Sequence, residues 1–317
     1  MKISVLEPLG IPNQDLVDAI AGALEAAGIQ DAEIVTHEDR AEDAESLIAR
    51  SGDADAVVLS NIPYPAQVME ANPNLKYVCV AFTGFDHVDM EYCRSRGIQV
   101  SNCAGYSTSA VADLVFGLVI SLLRNIPQCN EAVRAQGTKA GLVGPELEGK
   151  KFGIIGAGAI GLRVARIAQA FGCQVYAYSR TPKQVEGVSF VSLEELLSSC
   201  DIVSLHVPQN ASTVGLINQE RLALMKPSAI LINTARGPIV DSDALAEALN
   251  SGKLAGAGID VFEVEPPVAA DHPLLTAKNV IATPHVGFAT VQAFQKRAVI
   301  VANNLAGFFG GNPINLV

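Results

Sequence analysis

The feature that most constrains the fold is a glycine-rich turn between a strand-like and a helix-like segment, KFGIIGAGAIGLRVARIAQAFG, at 151–172. Gly156, Gly158 and Gly161 form the pattern G-x-G-x-x-G. In dinucleotide-binding folds the first glycine permits the tight turn, the second lets a pyrophosphate approach the backbone, and the third lets helix and strand pack closely. A second strand-like segment, QVYAYS, follows the helix. This context favours dinucleotide binding over a tight turn without a ligand.

Strand-like and helix-like segments alternate along nearly the whole chain, which predicts parallel sheets with helices on both faces. Five strand-like runs occupy the first hundred residues, and six more follow residue 151. The later runs are short, continuous and rich in β-branched residues, as expected for strands buried on both faces. We therefore predict an α/β chain with two doubly wound units. The apolar helix near 108–124 is predicted to belong with the second unit, whereas the helix after residue 290 could cover either.

Composition narrows the classes of partner. The chain has 317 residues and a net charge of -11, so it is predicted to bind neither nucleic acid nor an anionic membrane. Its six cysteines form no C-x-x-C pair, which predicts reduced packing thiols, no metal site and a cytoplasmic location. The stretch MKISVLEPLG lacks the apolar core of a signal peptide. The apolar stretch VADLVFGLVISLLR is too short to span a membrane and contains Asp113.

The turn after QVYAYS departs from the commonest dinucleotide-binding pattern. An acidic residue often closes this second strand and accepts hydrogen bonds from the adenosine ribose. Here the positions are Ser179, Arg180 and Thr181, with Lys183 close behind. Hydroxyls and a planar guanidinium suit a 2′-phosphate, so the sequence predicts NADP(H) as the preferred cofactor and leaves NAD(H) open. The alternative is an exposed arginine on a solvated turn, beside a cofactor site that accepts both.

Three polar side chains follow three of the predicted strands. Arg236 comes after AILINTA, Glu265 after GAGIDVF and His285 after NVIATP. Ligands of doubly wound sheets bind beyond the carboxyl ends of the strands, so parallel strands would bring these side chains to one edge. Each residue alone could be a surface charge or a structural histidine. Together, beside a nucleotide-binding turn, they predict a reaction site.

The three residue types suit hydride transfer between a nicotinamide and a 2-oxo acid. A carbonyl group that accepts hydride at carbon must gain a proton at oxygen, and histidine titrates near physiological pH, so His285 is the predicted acid and base. Glu265 is predicted to hydrogen-bond to that imidazole and to orient it. Arg236 is predicted to pair with the substrate carboxylate and to polarise the carbonyl group.

Five motifs resemble the D-isomer-specific 2-hydroxyacid dehydrogenase family, and the resemblance covers nearly the whole chain. They are GIIGAGAIG, DIVSLHVP, MKPSAILINTARGPIVD, LAGAGIDVFEVEPP and NVIATPHVG. The resemblance implies a Rossmann NAD(P)-binding domain at 102–290. It also implies a flavodoxin-like substrate domain at 1–101, which is completed by the C-terminal helix at 291–317. The implied assembly is a homodimer.

The resemblance also implies roles for single residues. Arg236, Glu265 and His285 match the catalytic residues of the family, and Arg236 and His285 also contact the substrate. Thr83 and Gly84, in VAFTGFDHVDM, match a loop whose backbone N–H groups bind the substrate carboxylate. The predicted cofactor-binding residues lie in the glycine turn and at the strand ends. They are Gly156, Gly158, Ala159, Ile160, Gly161, Ser179, Arg180, Thr181, His206, Val207, Pro208, Thr234, Ala235, Arg236, Asp260, His285 and Gly287.

One loop narrows the class of substrate that the sequence predicts. Phosphoglycerate dehydrogenases of the family show arginines near the loop that reads LSNIPYP here, and this loop has none. That difference favours a small unphosphorylated 2-oxo acid such as hydroxypyruvate or glyoxylate. An NAD-dependent phosphoglycerate dehydrogenase-type enzyme is one alternative. A non-catalytic dinucleotide-sensing regulator is another, because some relatives with that role keep the same three residues. An amino-acid dehydrogenase on the same fold is a third.

Overall fold

A computed structural model describes all 317 residues, and the chain divides into two compact units. The N-terminal unit consists of Met1–Ser107 together with Ala289–Val317. The central unit consists of Thr108–Phe288. The domain boundaries predicted from the sequence lie after residues 101 and 290.

The N-terminal unit is built on a five-stranded parallel sheet with the strand order β2-β1-β3-β4-β5. This order is that of the flavodoxin-like doubly wound sheets. The strands are β1 (Lys2–Val5), β2 (Glu33–Thr36), β3 (Ala56–Leu59), β4 (Tyr77–Val80) and β5 (Gln99–Asn102). The helices are α1 (Asn13–Ala26), α2 (Ala44–Ser51), α3 (Ala66–Glu70), α4 (Met90–Arg96) and α11 (Val291–Phe309).

Helix α11 belongs to the core of the N-terminal unit. The ring of Phe308 stacks on that of Tyr77 with 4.2 Å between centroids. Arg297 is 2% exposed, and its guanidinium donates to the hydroxyl of Ser60 at 3.1 Å and to the carbonyl of Ala81 at 3.3 Å. A buried arginine that bonds the ends of β3 and β4 fixes this late segment of the chain on the early sheet.

The central unit is built on a seven-stranded parallel sheet with the order β12-β11-β10-β9-β6-β7-β8. The strands are β6 (Lys151–Ile155), β7 (Gln174–Tyr178), β8 (Val188–Phe190), β9 (Ile202–Leu205), β10 (Ile230–Asn233), β11 (Gly256–Ile259) and β12 (Val280–Ala282). The order reverses between β6 and β9, as in Rossmann folds. Six of these strands were predicted from the sequence. The edge strand β8 was missed because its three residues are too few to show a pattern.

Helices cover both faces of the central sheet. They are α5 (Thr108–Leu123), α6 (Ile126–Arg134), α7 (Ala159–Ala170), α8 (Leu193–Ser199), α9 (Gln219–Leu222) and α10 (Ser242–Asn250). Short 3₁₀ helices occur at Gly237–Ile239 and Pro273–Leu275. Along β10 the side chains alternate between two cores, with Ile230 and Ile232 packed beside α5 and α7 and Leu231 packed beside α8 and α10. This alternation is the expected period of a strand.

Helix α5 lies close against β11 because that strand has the sequence GAGI. A Cβ atom at Gly258 would lie 2.9 Å from the Cβ atom of Leu118 on α5, closer than side chains allow. No single helix is long and apolar enough to cross a membrane; α5 and α6 meet that criterion only as a pair bent by 58°.

Candidate active site

The predicted cofactor-binding and catalytic residues of the central unit all follow the carboxyl ends of its strands. They come after β6, β7, β9, β10, β11 and β12. Because every pair of neighbouring strands in this sheet is parallel, these loops lie along one edge. This is the edge where ligands of doubly wound sheets bind.

The glycine turn packs directly against the loop after β9, at the point where the strand order reverses. Gly156 has a φ of 104°, and a Cβ atom there would lie 2.5 Å from the carbonyl oxygen of His206. A Cβ atom at Gly161 would lie 2.1 Å from the carbonyl oxygen of Gly156. Both positions therefore require glycine for the chain to make this turn.

Gly158 differs from the other two glycines, because the protein itself leaves room for a side chain there. A Cβ atom on this residue would meet nothing within 4 Å, so the turn faces open space. Gly158 is also the N-cap of α7, and no side chain caps the N–H groups of that helix. Uncapped N–H groups at a helix N-terminus are suited to a phosphate. The turn therefore fits the pyrophosphate of a dinucleotide, with Ala159 and Ile160 in the first turn of the helix.

The turn after β7 folds back toward the glycine turn. The hydroxyl of Ser179 donates to the carbonyl of Thr181 at 3.1 Å. The ammonium of Lys183 donates to the carbonyl of Ala157 at 3.0 Å, which lies between the first two glycines. Arg180 is exposed. Lys183 thus contacts the glycine turn directly, and Arg180 lies three residues before it on the same exposed segment.

His206 lies after β9 with Val207 and Pro208, where predicted. One ring nitrogen, Nε2, is 2.9 Å from the hydroxyl of Ser204. Burial lowers the pKa of His206 to about 3, so its imidazole is neutral at physiological pH. His206 is therefore not a candidate for the acid and base of the site.

The turn after β10 is held by a residue that the sequence analysis did not single out. Asn233 is 1% exposed, its amide donates to the carbonyl of Arg236 at 2.9 Å, and its side-chain oxygen accepts from the N–H of Ala235 at 3.1 Å. Its only sequence signal is an amide at the end of the apolar run AILIN. The hydroxyl oxygen of Thr234 is buried without a hydrogen-bond partner, as expected of a group that a ligand satisfies.

Asp260 shapes the loop that carries His285. Its carboxylate accepts hydrogen bonds from the N–H groups of Val286 at 2.9 Å and Gly287 at 2.8 Å, and from the hydroxyl of Thr283. Burial raises the pKa of Asp260, although these hydrogen bonds favour the ionised form. The structure therefore gives Asp260 a role within the protein, in addition to the cofactor contact expected from the sequence.

His285 and Glu265 are in direct contact. Nδ1 of His285 lies 2.6 Å from Oε1 of Glu265, and the side chains are 19% and 16% exposed. The other carboxylate oxygen accepts from the N–H of Phe262 at 3.0 Å. A carboxylate acceptor requires the proton on Nδ1, which leaves Nε2 as the nitrogen that can exchange a proton.

The backbone at His285 is also constrained. Its φ is 52°, in the left-handed region that few residues other than glycine adopt. Its N–H donates to the carbonyl of Asp260 at 2.8 Å. The strained conformation is thus fixed by the residue that also bonds the two following N–H groups, and it sets the direction of the imidazole.

Arg236 follows β10, the strand next to β11. Its Nη1 donates to the carbonyl of Ala235 at 2.9 Å. The next residue, Gly237, packs against the peptide that joins Phe262 to Glu263, since a Cβ atom there would lie 2.0 Å from the carbonyl carbon of Phe262. The turn of Arg236 therefore touches the segment that leads to Glu265.

Thr83 and Gly84 lie in the N-terminal unit, directly after β4. The carbonyl of Thr83 accepts from the amide of Asn102 at 2.7 Å, which fixes the loop on β5. The hydroxyl oxygen of Thr83 is buried without a hydrogen-bond partner. A buried hydroxyl at the carboxyl edge of this sheet also suits contact with a ligand.

Comparison with known proteins agrees with this geometry. Residues 116–287 match the family model described as "D-isomer specific 2-hydroxyacid dehydrogenase, NAD binding domain". The chain belongs to the D-isomer specific 2-hydroxyacid dehydrogenase family. It is therefore an oxidoreductase that uses a nicotinamide cofactor.

Two curated relatives of the family are similar over most of their length. A hydroxypyruvate reductase of Blautia hydrogenotrophica is 38% identical over 87% of this chain and 88% of its own. A glyoxylate reductase of Thermofilum pendens is 39% identical over 88% of this chain and 86% of its own. D-3-phosphoglycerate dehydrogenases are also among the relatives, and the match to the one from Haemophilus influenzae spans 61% of its length.

Solved structures confirm the two-sheet fold of the family. An acyclic imino acid reductase, crystallised with NADPH and D-Arg, matches with a TM-score of 0.89 at 30% identity. The match covers 100% of both chains.

Proposed function

We propose that this family member is an NADP(H)-preferring reductase of small unphosphorylated 2-oxo acids, with His285 as the acid and base. The observation that carries the proposal is the 2.6 Å contact between Nδ1 of His285 and Oε1 of Glu265 at the strand ends of the central unit. A histidine oriented by a carboxylate is the group that carbonyl reduction needs, because the new alcohol oxygen must take a proton.

The residues divide the work as follows. A bound nicotinamide supplies or accepts the hydride. Glu265 holds the proton on Nδ1, so Nε2 of His285 gives a proton to the carbonyl oxygen in reduction and takes it back in oxidation. The same carboxylate stabilises the imidazolium before the proton is given. Arg236 pairs with the substrate carboxylate and polarises the carbonyl bond. Thr83 and Gly84 are proposed to bind the substrate carboxylate.

The cofactor is proposed to lie along the same edge. The turn from Gly156 to Gly161 and the uncapped start of α7 would hold the pyrophosphate. His206, Thr234 and Asp260 would line the nicotinamide side of the cofactor site. The buried hydroxyl of Thr234 has no hydrogen-bond partner within the protein and could bond the cofactor there. The remaining residues of this set are Val207, Pro208, Ala235 and Gly287.

The NADP(H) preference rests on the turn after β7. Ser179, Arg180 and Thr181 take the place of the acidic residue that would accept hydrogen bonds from a ribose and repel a 2′-phosphate. The ammonium of Lys183 adds a second cation, already bonded to the glycine turn. A guanidinium and an ammonium beside hydroxyl donors favour the phosphorylated ribose.

The substrate proposal is tested by reduction of a panel of 2-oxo acids, with NADPH and NADH in parallel. We expect turnover with hydroxypyruvate or glyoxylate, and a higher kcat/KM for NADPH. Preference for phosphohydroxypyruvate would instead assign the phosphoglycerate dehydrogenase activity that some relatives carry in their names. Turnover that depends on ammonium would assign an amino-acid dehydrogenase. Tight dinucleotide binding without turnover would assign a regulator.

We further propose that the protein acts as a homodimer in the cytoplasm. The family resemblance supports the dimer, and the six free cysteines, five of them buried, suit a reducing compartment. Light scattering of the purified chain tests the dimer directly. A monomeric mass at micromolar concentration would contradict it.

A further inference from the structure

A second carboxylate–imidazole pair lies next to the first. Oε2 of Glu263 is 2.9 Å from Nε2 of His272, and these side chains are 36% and 11% exposed. Oε1 of Glu263 accepts from the hydroxyl of Ser242 at 2.5 Å. Neither Glu263 nor His272 could be given a role from the sequence, because the pairing joins residues with no shared motif.

The hydrogen bonds of His272 define its tautomer. Its Nδ1 accepts from the N–H of Leu274 at 3.3 Å and so carries no proton. The proton of the neutral ring is therefore on Nε2, which donates to Glu263. Burial opposes ionisation of Glu263, but the bonds from Ser242 and His272 outweigh it and lower the pKa of that carboxyl. Glu263 thus accepts hydrogen bonds from both Ser242 and His272 as a carboxylate.

The pair closes the loop that carries Glu265. Glu263 and His272 flank that loop, and Ser242 is the first residue of α10, so the carboxylate ties both ends of the loop to a helix. The ring of Phe262 meets that of His272 edge to face at 5.1 Å between centroids. Phe262 also donates its N–H to Glu265.

The other side of the same segment contacts the turn of Arg236. The peptide between Phe262 and Glu263 packs against Gly237 so tightly that no side chain fits there. A shift of Glu263 would therefore be felt by Glu265 through two peptide bonds and by Arg236 through Gly237. Interiors packed in this way transmit displacement.

We propose that Ser242, Glu263 and His272 form a brace that positions Glu265, and through it His285, for proton transfer. The inference rests on the proposed function of His285. The three residues are positioning residues, because their hydrogen bonds join them to each other at the two ends of the loop. Glu265 and Asp260 are charged groups that face His285, and of these two Glu265 lies on the braced loop.

Two substitutions of His272 distinguish loss of the bond to Glu263 from a general effect on folding. In His272→Asn the side-chain oxygen can still accept from Leu274, whereas the bond to Glu263 is lost. In His272→Gln the longer amide can still donate to Glu263, whereas the bond to Leu274 is lost. A brace predicts that the Asn variant is impaired and the Gln variant is not. Asp271→Asn is the matched control, because it removes an exposed carboxylate from the same loop.

The first readout does not depend on turnover. The Nδ1 proton of His285, held at a short distance from Glu265, is expected to give a downfield proton NMR resonance, assigned by its absence in His285→Gln. We expect this resonance to broaden or shift in His272→Asn and in Glu263→Gln. It should be retained in His272→Gln and in Asp271→Asn. An unchanged resonance in His272→Asn would overturn the inference.

The second readout is steady-state reduction of the 2-oxo acid found with the unmodified chain. We expect kcat to fall roughly tenfold in His272→Asn, because small misplacements of reacting groups are costly, with KM for the cofactor unchanged. Equal losses in the Asn and Gln variants would show a structural role only and overturn the inference. Absence of turnover in the unmodified chain would instead contradict the proposed function. The NMR measurement would still show whether the brace positions Glu265.

Discussion

At the scale of single residues, His285 keeps little freedom. Its ring nitrogen is bonded to Glu265, its backbone N–H to Asp260, and its φ is fixed in the left-handed region. Pre-organisation of this kind removes reorientation from the reaction. We therefore expect Glu265 to act on His285 through its charge and position, and not through binding of the cofactor or the substrate.

Glu265→Gln tests that expectation. The amide keeps the shape of the side chain but cannot stabilise an imidazolium as a carboxylate does. We expect kcat for 2-oxo acid reduction to fall about a hundredfold, with the Kd of the cofactor unchanged, measured by steady-state kinetics and fluorescence titration.

The matching variant is His285→Ala, which should lose at least as much activity. Because the two residues act as a unit, the double substitution should cost little more than His285→Ala alone. Additive losses would mean that Glu265 acts on something other than His285. Turnover of His285→Ala within a few fold of the unmodified chain would remove the acid and base assignment altogether.

Arg180→Asp tests the cofactor preference. A carboxylate here repels a 2′-phosphate and can accept hydrogen bonds from an unphosphorylated ribose. We expect kcat/KM to fall about tenfold or more with NADPH and to change little with NADH, because a charge-assisted bond is lost and repulsion is added. Arg166→Asp, the same charge change at an exposed position of α7, is the control. Equal effects on both cofactors would contradict the preference.

The sequence predicted the positions of the candidate site residues at strand ends better than it predicted the residues that support them; their catalytic roles stay a prediction. Arg236, Glu265 and His285 could be found because each follows a strand, and strand ends can be recognised locally. Asn233 and the Glu263–His272 pair could not, because their importance lies in hydrogen bonds whose partners only folding defines. Asp260 was expected to meet the cofactor, but its bonds to 283–287 could not be predicted from its position.

At the scale of elements, the packing of α5 on β11 depends on the absence of a side chain at Gly258. The strand GAGI lets α5 approach until Gly258 and Leu118 are in contact. The sequence showed a strand and a buried helix here but not that they touch. The helical pattern also left open which unit the last helix covers, because an amphipathic pattern gives a buried face and no partner, and only the family resemblance assigned it to the N-terminal unit.

Gly258→Ala tests this close approach of α5 to β11. Its Cβ atom would lie 2.9 Å from both Leu118 and Ile232, so the helix must shift. We expect a loss of about 1–3 kcal/mol in the free energy of unfolding, measured by denaturant titration.

Gly117→Ala is the matched control on α5 itself. Its Cβ atom would meet nothing within 4 Å, so the change only improves helix propensity. We expect a gain of about 0.5–1 kcal/mol. An unchanged free energy of unfolding in Gly258→Ala would mean that α5 can move away from β11 without loss of stability.

At the scale of the whole molecule, stability should depend on pH through His206. The unfolded chain binds a proton at this residue below about pH 6.5, whereas the folded chain does so only near the lowered pKa of about 3. The free energy of unfolding therefore falls as the pH drops below about 6.5. The slope from this residue is on the order of 1 kcal/mol per pH unit.

Urea unfolding at pH 7 and pH 5 measures this slope. His206→Gln removes the titrating group, and its amide can still bond the hydroxyl of Ser204. We expect the variant to lose less stability than the unmodified chain between the two pH values. Identical losses in the two proteins would show that His206 takes up its proton without unfolding.

The two-segment composition of the N-terminal unit has a consequence for synthesis. Its sheet is complete by residue 102, but Arg297, Asn304 and Phe308 of α11 bond or stack on that sheet. The central unit consists of Thr108–Phe288 only. On the ribosome, the part of the chain made first therefore cannot finish folding until α11 has emerged, and the domain made second can close before it. A nascent chain halted at residue 290 would carry a finished nucleotide-binding unit behind an unfinished one, with the α11-binding surface of the sheet open to chaperones.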